Sequence, residues 1–435
     1  MKVLLKTFGC QQNDHDSRVA ESLLGKAGYQ LTDHVNRADV IIFNTCSVRQ
    51  HAEERVFGQL TQLKPVKKKK PGLLIGVMGC MVENYREKFF ADFPHVDFLI
   101  GTRSVRELPR AIERAGAERK KVMELAKSGF GYELYEYAKL DGEIHAYLPV
   151  MTGCDKVCSF CVVPYVRGRE ISRAPEEILD EIRRLADGGI KHVTLIGQNV
   201  NSYGNRPGTG MPFARLLREA AGIDGIEKIG FTTSHPQDAG EELFLAIRDH
   251  AKISRRFHLP LQSGSDKILK KMRRGHTLAE YCDKINRLRE LVPDISITTD
   301  MIVGFPEETG EDYELSRQAM KEIQFDGAFI FKYSPRSHTI AAKWKDDVSS
   351  AEKDRRVNEL LRLQRGITKS RNERLIGQTC RVMIEGMSKK SGQEVSARTW
   401  QEKKVVFRGE ASEMGSIVTV RLKELSSETF RAERV

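Results

Sequence analysis

Short apolar runs alternate with helical stretches along most of the chain, and the pattern changes near its end. Runs at Val3 to Phe8, Val40 to Asn44, Leu73 to Met78 and Val96 to Ile100 have the length and residue types of strands. SRVAESLLGKAG and EERVFGQLTQL, between them, space their apolar residues as helices do. Over residues 1–118 this predicts a small parallel sheet with helices packed on it. The sequence then turns charged and aperiodic, as in GAERKKVMELAKSG, which predicts a linker over 119–139. From 140 to 370 the alternation returns with longer helices. Strands are expected at Ala146 to Met151, His192 to Ile196, Lys228 to Thr233, Arg256 to Leu261, Ile295 to Val303 and Ala328 to Tyr333. Such β/α units fit an open, partial TIM-type barrel. Residues 352–371 predict an amphipathic helix with Val357, Leu360, Leu361 and Ile367 on its apolar side. Over 373–435, alternating runs at Thr379 to Ile384, Val405 to Phe407 and Ile417 to Arg421 are broken by Gly-rich turns, the pattern of a small all-β barrel.

Laid on these elements, the cysteines fall in two groups. Cys10, Cys46 and Cys80 each follow one of the first three strands, so a parallel sheet brings all three to its carboxyl edge, where open α/β sheets bind ligands. They are either metal ligands or three buried, inert thiols. Cys154, Cys158 and Cys161 form CxxxCxxC directly after the first barrel strand. A tetrahedral zinc site needs a fourth ligand, and the nearest candidate is His145, upstream. A 4Fe-4S cluster accepts three thiolates and leaves one iron for a small molecule. A redox dithiol with a spare cysteine is the plain alternative. Cys282 and Cys380 have no partner spacing and read as core residues.

Composition adds little. Lys and Arg number 71 against 60 Asp and Glu, a net +11, and the pI is near 9.1; this excess permits a polyanionic partner without requiring one. Eight cysteines in 435 residues, six at ligand-like positions, favour a reducing cytoplasm over a disulfide scaffold. The start MKVLLKTFG lacks the apolar core of a signal peptide. No later run approaches the roughly 20 apolar residues of a membrane span, so a cytoplasmic protein with no membrane partner is expected.

CxxxCxxC and its surroundings, TFGCQQND, NTCSVRQHAEERVFG, MTGCDKVCSFCVVPYVRGRE, LIGQNVNSYG, FHLPLQSGSD, MIVGFPEET and EGMSKK, together resemble the radical S-adenosylmethionine (SAM) methylthiotransferases, most of all the MiaB type that acts on tRNA. The resemblance runs over essentially the whole chain. It implies two 4Fe-4S clusters, one on Cys154, Cys158 and Cys161 where SAM binds and is cleaved reductively, and an auxiliary one on Cys10, Cys46 and Cys80 that carries the sulfur. A second SAM would methylate that sulfur. The implied product is a methylthio group on carbon 2 of N6-isopentenyladenosine beside the anticodon. A reducing partner such as flavodoxin or ferredoxin, and a sulfur donor, are implied with it.

At the carboxyl ends of the barrel strands lie Gln198 and Asn199, Thr233 and Ser234, His258 and Gln262, and Asp300 and Gly304; by resemblance Gln198, Ser234 and Gln262 are the candidates for SAM contact. Gly304 and Gly264 either admit a ligand's close approach or serve as turns. His338, in SPRSHTIAA, stands where the family more often has Gly-Thr.

The last segment resembles the TRAM domain, an RNA-binding barrel, with Lys389, Lys390, Arg398, Lys403, Lys404 and Arg408 expected on phosphates and Trp400 as a stacking face. Its alternative is a solvated surface, as is that of Lys67 to Lys70, read as a charged turn. NTCSVR, with Ser47, Val48 and Arg49, resembles the MiaB type, whereas enzymes acting on threonylcarbamoyladenosine tend to NTCTVT and those acting on a ribosomal-protein aspartate to NTCGF. These two substrates remain alternatives. So do a methyl transferase or lyase of the same superfamily with structural N-terminal cysteines, and a non-enzymatic iron-sulfur RNA-binding protein.

Overall fold

The computed structural model describes residues 1–47, 50–126, 142–205 and 210–435. Six parallel strands form the N-terminal sheet: β1 (Lys2–Thr7), β2 (Gln30–Leu31), β3 (Val40–Thr45), β4 (Leu74–Gly79), β5 (Phe98–Ile100) and β6 (Val122–Glu124), in the order β2-β1-β3-β4-β5-β6. Every residue of β3 and β4 is buried, as expected of central parallel strands covered on both faces. Helices Gln11–Lys26 and Leu108–Glu118 bury Val19, Leu24 and Ile112 against one face. Gln50–Lys69 packs Val56, Leu60 and Leu63 on the other.

Two edge strands escaped the sequence pattern. β2 is too short to show a period. β6 lies inside the stretch expected as linker, so the sheet runs past residue 118 and the start of that linker is corrected; its remainder, 127–139, lies outside the described residues. Lys67 also differs from expectation. It belongs to the helix, and its ammonium binds the Asp97 carboxylate at 2.6 Å, while Lys70 binds Asp39 at 3.1 Å.

The central unit carries six parallel strands in an arc: β7 (His145–Pro149), then, after a short ribbon of β8 (Met151–Thr152) and β9 (Ile171–Ser172), β10 (His192–Ile196), β11 (Lys228–Phe231), β12 (Arg256–His258), β13 (Ser296–Val303) and β14 (Gly327–Lys332). They pair as β11-β10-β7 and β12-β13-β14, joined by a parallel bridge between Ile229 and Ile253. Helices such as Pro175–Asp187 and Gly310–Ile323 bury their apolar faces on the outside of this arc. This is the open (β/α)6 barrel anticipated from the alternation.

The helix after it, Ser350–Glu373, is longer than predicted at both ends, and its buried side is more polar. Lys353, Arg356, Gln364 and Thr368 lie on it beside Leu360 and Ile367, each engaged: Arg356 pairs with Glu308 at 2.7 Å, and Gln364 donates to the Phe325 carbonyl at 2.8 Å. The chain ends in a closed barrel of β15 (Thr379–Met387), β16 (Glu394–Thr399), β17 (Lys404–Arg408), β18 (Ile417–Ser426) and β19 (Thr429–Arg434), ordered β15-β16-β17-β19-β18 around Val382, Ile384, Phe407 and Phe430. It docks on the amino ends of the central strands. Lys228, at the start of β11, donates to the Thr399 carbonyl at 3.0 Å and pairs with Glu402. Ser254 Oγ and the Arg255 N–H both donate to the Trp400 carbonyl. Among the described residues no helix is long and apolar enough to cross a membrane.

Candidate active site at the carboxyl edges

β1, β3 and β4 lie side by side, and neighbouring strands run about 4.8 Å apart, so residues leaving their carboxyl ends arrive together. Cys10 precedes the Gln11–Lys26 helix, Cys46 follows β3, and Cys80 opens the helix Cys80–Tyr85. Cys10 and Cys46 share a hydrogen bond, which, with the Arg167 charge and nearby backbone N–H groups, outweighs burial and draws the Cys10 thiol down to about 6. Burial pushes Cys80 up, against the hydrogen bond and charge of Arg167. Gly9 is required here: at φ +138° its added Cβ would lie 2.6 Å from the Cys46 Cβ. Beneath the thiols a buried amide pair fixes the edge, with Asn13 Nδ2 donating to Asn44 Oδ1 at 3.0 Å and Asn44 Nδ2 to the Asn13 carbonyl at 2.8 Å.

The second trio sits on one loop at the carboxyl end of β7. The Cys154 N–H donates to the Gly168 carbonyl and the Cys161 N–H to the Cys158 carbonyl, each at 3.1 Å. Ser159 pins the loop's middle through its Oγ to the Lys271 carbonyl at 2.9 Å. Arg274 donates to Cys158 Sγ at 3.4 Å and to the Pro260 carbonyl at 2.8 Å. Burial, with the neighbouring Cys158 adding to it, pushes Cys154 up to about 11 and Cys161 to about 12. Binding to a metal deprotonates such thiols outright.

The zinc alternative loses its fourth ligand. His145 lies at the amino end of β7, stacked on His192 at 4.2 Å and bonded to Thr194 Oγ1 at 2.8 Å. Among the described residues no three His, Cys, Asp or Glu side chains converge as ligands of a single metal ion. Thiolates on a 4Fe-4S cluster bind different irons and stand apart. An all-sulfur donor set is the kind such a cluster takes. Cys282 packs against the central core and Cys380 against the terminal one, as expected.

Around the loop, strand ends present buried polar atoms without a hydrogen-bond partner among the described residues: Asn199 Oδ1, Ser234 Oγ, His235 Nε2, Gln262 Oε1 and Arg274 Nε. A buried unmade hydrogen bond costs about 1–3 kcal/mol, so their gathering in one place points to a polar ligand. Ser234 and Gln262 belong to this group, and Gln262 holds a left-handed φ of +78°. Gln198 differs, because its Oε1 accepts the Gly153 N–H and so braces the cysteine loop. His258 and Asp300 pair with each other at 3.5 Å. Gly264 admits no ligand; a Cβ there would meet the Leu315 carbonyl at 2.5 Å. His338 stands beside Tyr165, ring centroids 6.1 Å apart.

On the terminal barrel the expected basic face divides. Lys389, Lys390, Lys404 and Arg408 are exposed. Lys403 instead pairs with Asp326 of the central unit at 3.1 Å, and Arg398 is held by Glu385 at 3.1 Å and by the Glu402 carbonyl at 3.0 Å. Trp400 is 7% exposed and turned to the interface, with Arg381 over its ring at 4.8 Å. Docking has claimed the stacking face expected for RNA. Val48 and Arg49 lie outside the described residues.

Sequence reasoning missed Asn13, Asn44, Asp16, Arg167 and Arg274. The first two share short motifs with cysteines, FGCQQN and NTC, which could have marked them. Arg167 stands inside MTGCDKVCSFCVVPYVRGRE, which could have marked it too; Arg274 carries no local signal, since it reaches Cys158 from a distant segment.

A six-stranded parallel barrel with CxxxCxxC at its carboxyl edge defines the class, and residues 148–319 match the Radical SAM superfamily. Residues 2–101 match an uncharacterized protein family, UPF0004, and residues 373–435 the TRAM domain. A tRNA-2-methylthio-N(6)-dimethylallyladenosine synthase of Syntrophus aciditrophicus (strain SB) is 43% identical over 432 residues, 99% of this chain and 94% of the relative. One from Thermoanaerobacter pseudethanolicus (strain ATCC 33223 / 39E) is 41% identical over 99% of this chain and 92% of its own length. The chain belongs to the family of the tRNA-2-methylthio-N(6)-dimethylallyladenosine synthases. Among solved structures, the radical SAM methyltransferase TsrM from Kitasatospora setae shares the fold at a TM-score of 0.54 and 13% identity, over 76% of this chain and 72% of TsrM. The cobalamin-dependent SAM radical enzyme OxsB does so at 0.53 and 16%, over 85% of this chain and 56% of OxsB.

Proposed function

We propose that this chain adds a methylthio group to carbon 2 of N6-isopentenyladenosine beside the anticodon of tRNA, in the cytoplasm, with two SAM molecules and two 4Fe-4S clusters. Electrons would come from a flavodoxin or ferredoxin, and sulfur from a separate donor. The observation that carries the reading is the packing of the two cysteine-bearing segments against each other. Cys80 packs against Val162 and Val166, the residues that follow Cys161. A substrate held over that seam would face both centres.

When bound, the clusters and SAM supply the reductive cleavage, the hydrogen abstraction and the sulfur. The chain's own residues hold and shield them. Cys154, Cys158 and Cys161 would hold one cluster, and Cys10, Cys46 and Cys80 the other. Ser234 Oγ and Gln262 Oε1 would bond SAM, while Gln198 steadies the loop through the Gly153 N–H. Lys389, Lys390, Lys404 and Arg408 would meet RNA phosphates, the first two at an exposed turn. Lys403 contributes by docking, and Arg398 braces Glu385 and Glu402 within the terminal barrel.

The test is mass spectrometry of nucleosides after anaerobic incubation of reconstituted protein with SAM, reductant, sulfide and tRNA. A gain of methylthio on isopentenyladenosine, and little on unmodified adenosine, is expected. Modification of threonylcarbamoyladenosine instead, or of a ribosomal protein alone, would overturn the substrate.

A further inference from the structure

Residues 166–168 join the two cysteine centres. The Val166 carbonyl accepts from Thr102 Oγ1 at 3.1 Å and the Arg167 carbonyl from Arg103 Nη2 at 2.6 Å, both from the N-terminal sheet domain. The next carbonyl, of Gly168, accepts the Cys154 N–H at 3.1 Å. Arg167 itself turns the other way. Its side chain, 6% exposed, enters the N-terminal site, donates to Asp16 at 3.0 Å and hydrogen-bonds Cys80. Asp16 is held in turn by Gln12 at 3.0 Å. A buried guanidinium whose charge acts on Cys10 and Cys80 exerts a field that water hardly screens.

We propose that Arg167 is a positioning residue that fixes the N-terminal cysteine site against the barrel's cysteine loop and raises the reduction potential of the cluster held there. The inference rests on the two-cluster reading. A hydrogen bond and a positive charge at a cluster thiolate stabilise the reduced, more negative state. Asp16 acts oppositely while orienting the guanidinium.

The experiment uses the full chain in a Cys154→Ala, Cys158→Ala, Cys161→Ala background, so that any remaining iron belongs to the N-terminal site. Loss of all iron in that background would overturn the two-cluster reading itself. With iron retained, the potential is read by EPR-monitored titration. Arg167→Gln should shift it to a more negative value, Arg167→Lys should recover part of the shift, and Asp16→Asn should move it the other way. A purely structural role would alter iron content without this sign pattern. Equal potentials in the parent and Arg167→Gln, or shifts of the same sign in Arg167→Gln and Asp16→Asn, would overturn the proposal. If Arg167→Gln binds no iron, Arg167→Lys and Asp16→Asn still decide it by the same signs.

Discussion

The two ends of the central barrel are built from the same strands and treat polar groups oppositely. At the carboxyl end, Asn199, Ser234, His235, Gln262 and Arg274 keep buried atoms without partners around a loop of cysteines. At the amino end, Lys228, Ser254, His145, His192 and Asp326 are paired, mostly with one another or with the terminal barrel; the Trp400 indole N–H and Arg371 Nε are exceptions. Buried polar groups cost stability unless satisfied. The paired end is thus a structural closure, and the unpaired end awaits a ligand.

The largest effects separate the two cysteine trios at the open end. Replacing Cys154, Cys158 and Cys161 together by Ala should remove about half the iron and all SAM cleavage, because those thiolates are the ligands proposed there. The triple lesion of Cys10, Cys46 and Cys80 should leave 5′-deoxyadenosine production in place and abolish the methylthio product. Iron analysis and chromatography of the cleavage products check both. Cleavage surviving the first lesion, or full iron content after the second, breaks the division of labour.

A subtler lesion tests whether the sheet edge itself assembles a site. Gly9→Ala puts a methyl into contact with Cys46 and strains a backbone at φ +138°, a cost of about 1–3 kcal/mol. Iron at the N-terminal trio should fall several-fold while the loop trio keeps its own. Gly28→Ala, at φ +82° with open space around it, carries backbone strain without the clash. Iron content equal in both variants would show that strain, not crowding at Cys46, is responsible.

The terminal barrel supplies a third contrast, between lysines that dock and lysines that face solvent. Changing Lys389, Lys390 and Lys404 to Ala should weaken tRNA binding and flatten its salt dependence by up to about one unit of log slope for each phosphate that is no longer neutralised. Lys403→Ala removes one of the two cations on Asp326, leaving Arg371 at 3.1 Å, so stability should fall by about 1 kcal/mol with the salt slope unchanged. A slope that responds to Lys403 instead would place RNA in the interface.

How much of this was legible follows from where each signal lies. β3 and β4 are continuous apolar runs and were plain, as were cysteines placed directly after strands. β2 and β6 are edge strands of two and three residues, too short for a period. β16 turns Val395, Ala397 and Thr399 inward, and the small Ala and polar Thr conceal the alternation. Lys403 and Trp400 look like RNA ligands in sequence because a docking surface and a nucleic-acid surface use the same residue types. Arg167 lies inside the cysteine-loop motif, but its role was hidden for another reason: its partners Asp16 and Cys80 are contributed by the N-terminal domain, and no local pattern encodes a tertiary meeting.

The smallest expected effect probes the closed end by acid. His145 and His192 stack in the barrel interior, with Thr194 Oγ1 bonded to both at 2.8 and 3.3 Å. Burial, reinforced by the nearby Lys228 and Arg398 charges against the opposing pull of Glu402, lowers His145 from 6.5 to about 4; burial and the neighbouring His145 hold His192 well below its usual value too. A depressed histidine in the folded state means that the unfolded chain binds the proton first as pH drops. Stability should therefore be flat above about pH 6.5 and decline toward pH 4, by about 1 kcal/mol per pH unit for each such group. His145→Gln keeps a polar side chain but removes one titrating group, and its thermal midpoint should fall less steeply between pH 6.5 and 5 than the parent's. The protein without iron is the right sample, because acid also attacks clusters. Parallel pH profiles for parent and variant would mean that the closed end opens enough to protonate in place, and the contrast between the two ends would then be one of occupancy and not of burial.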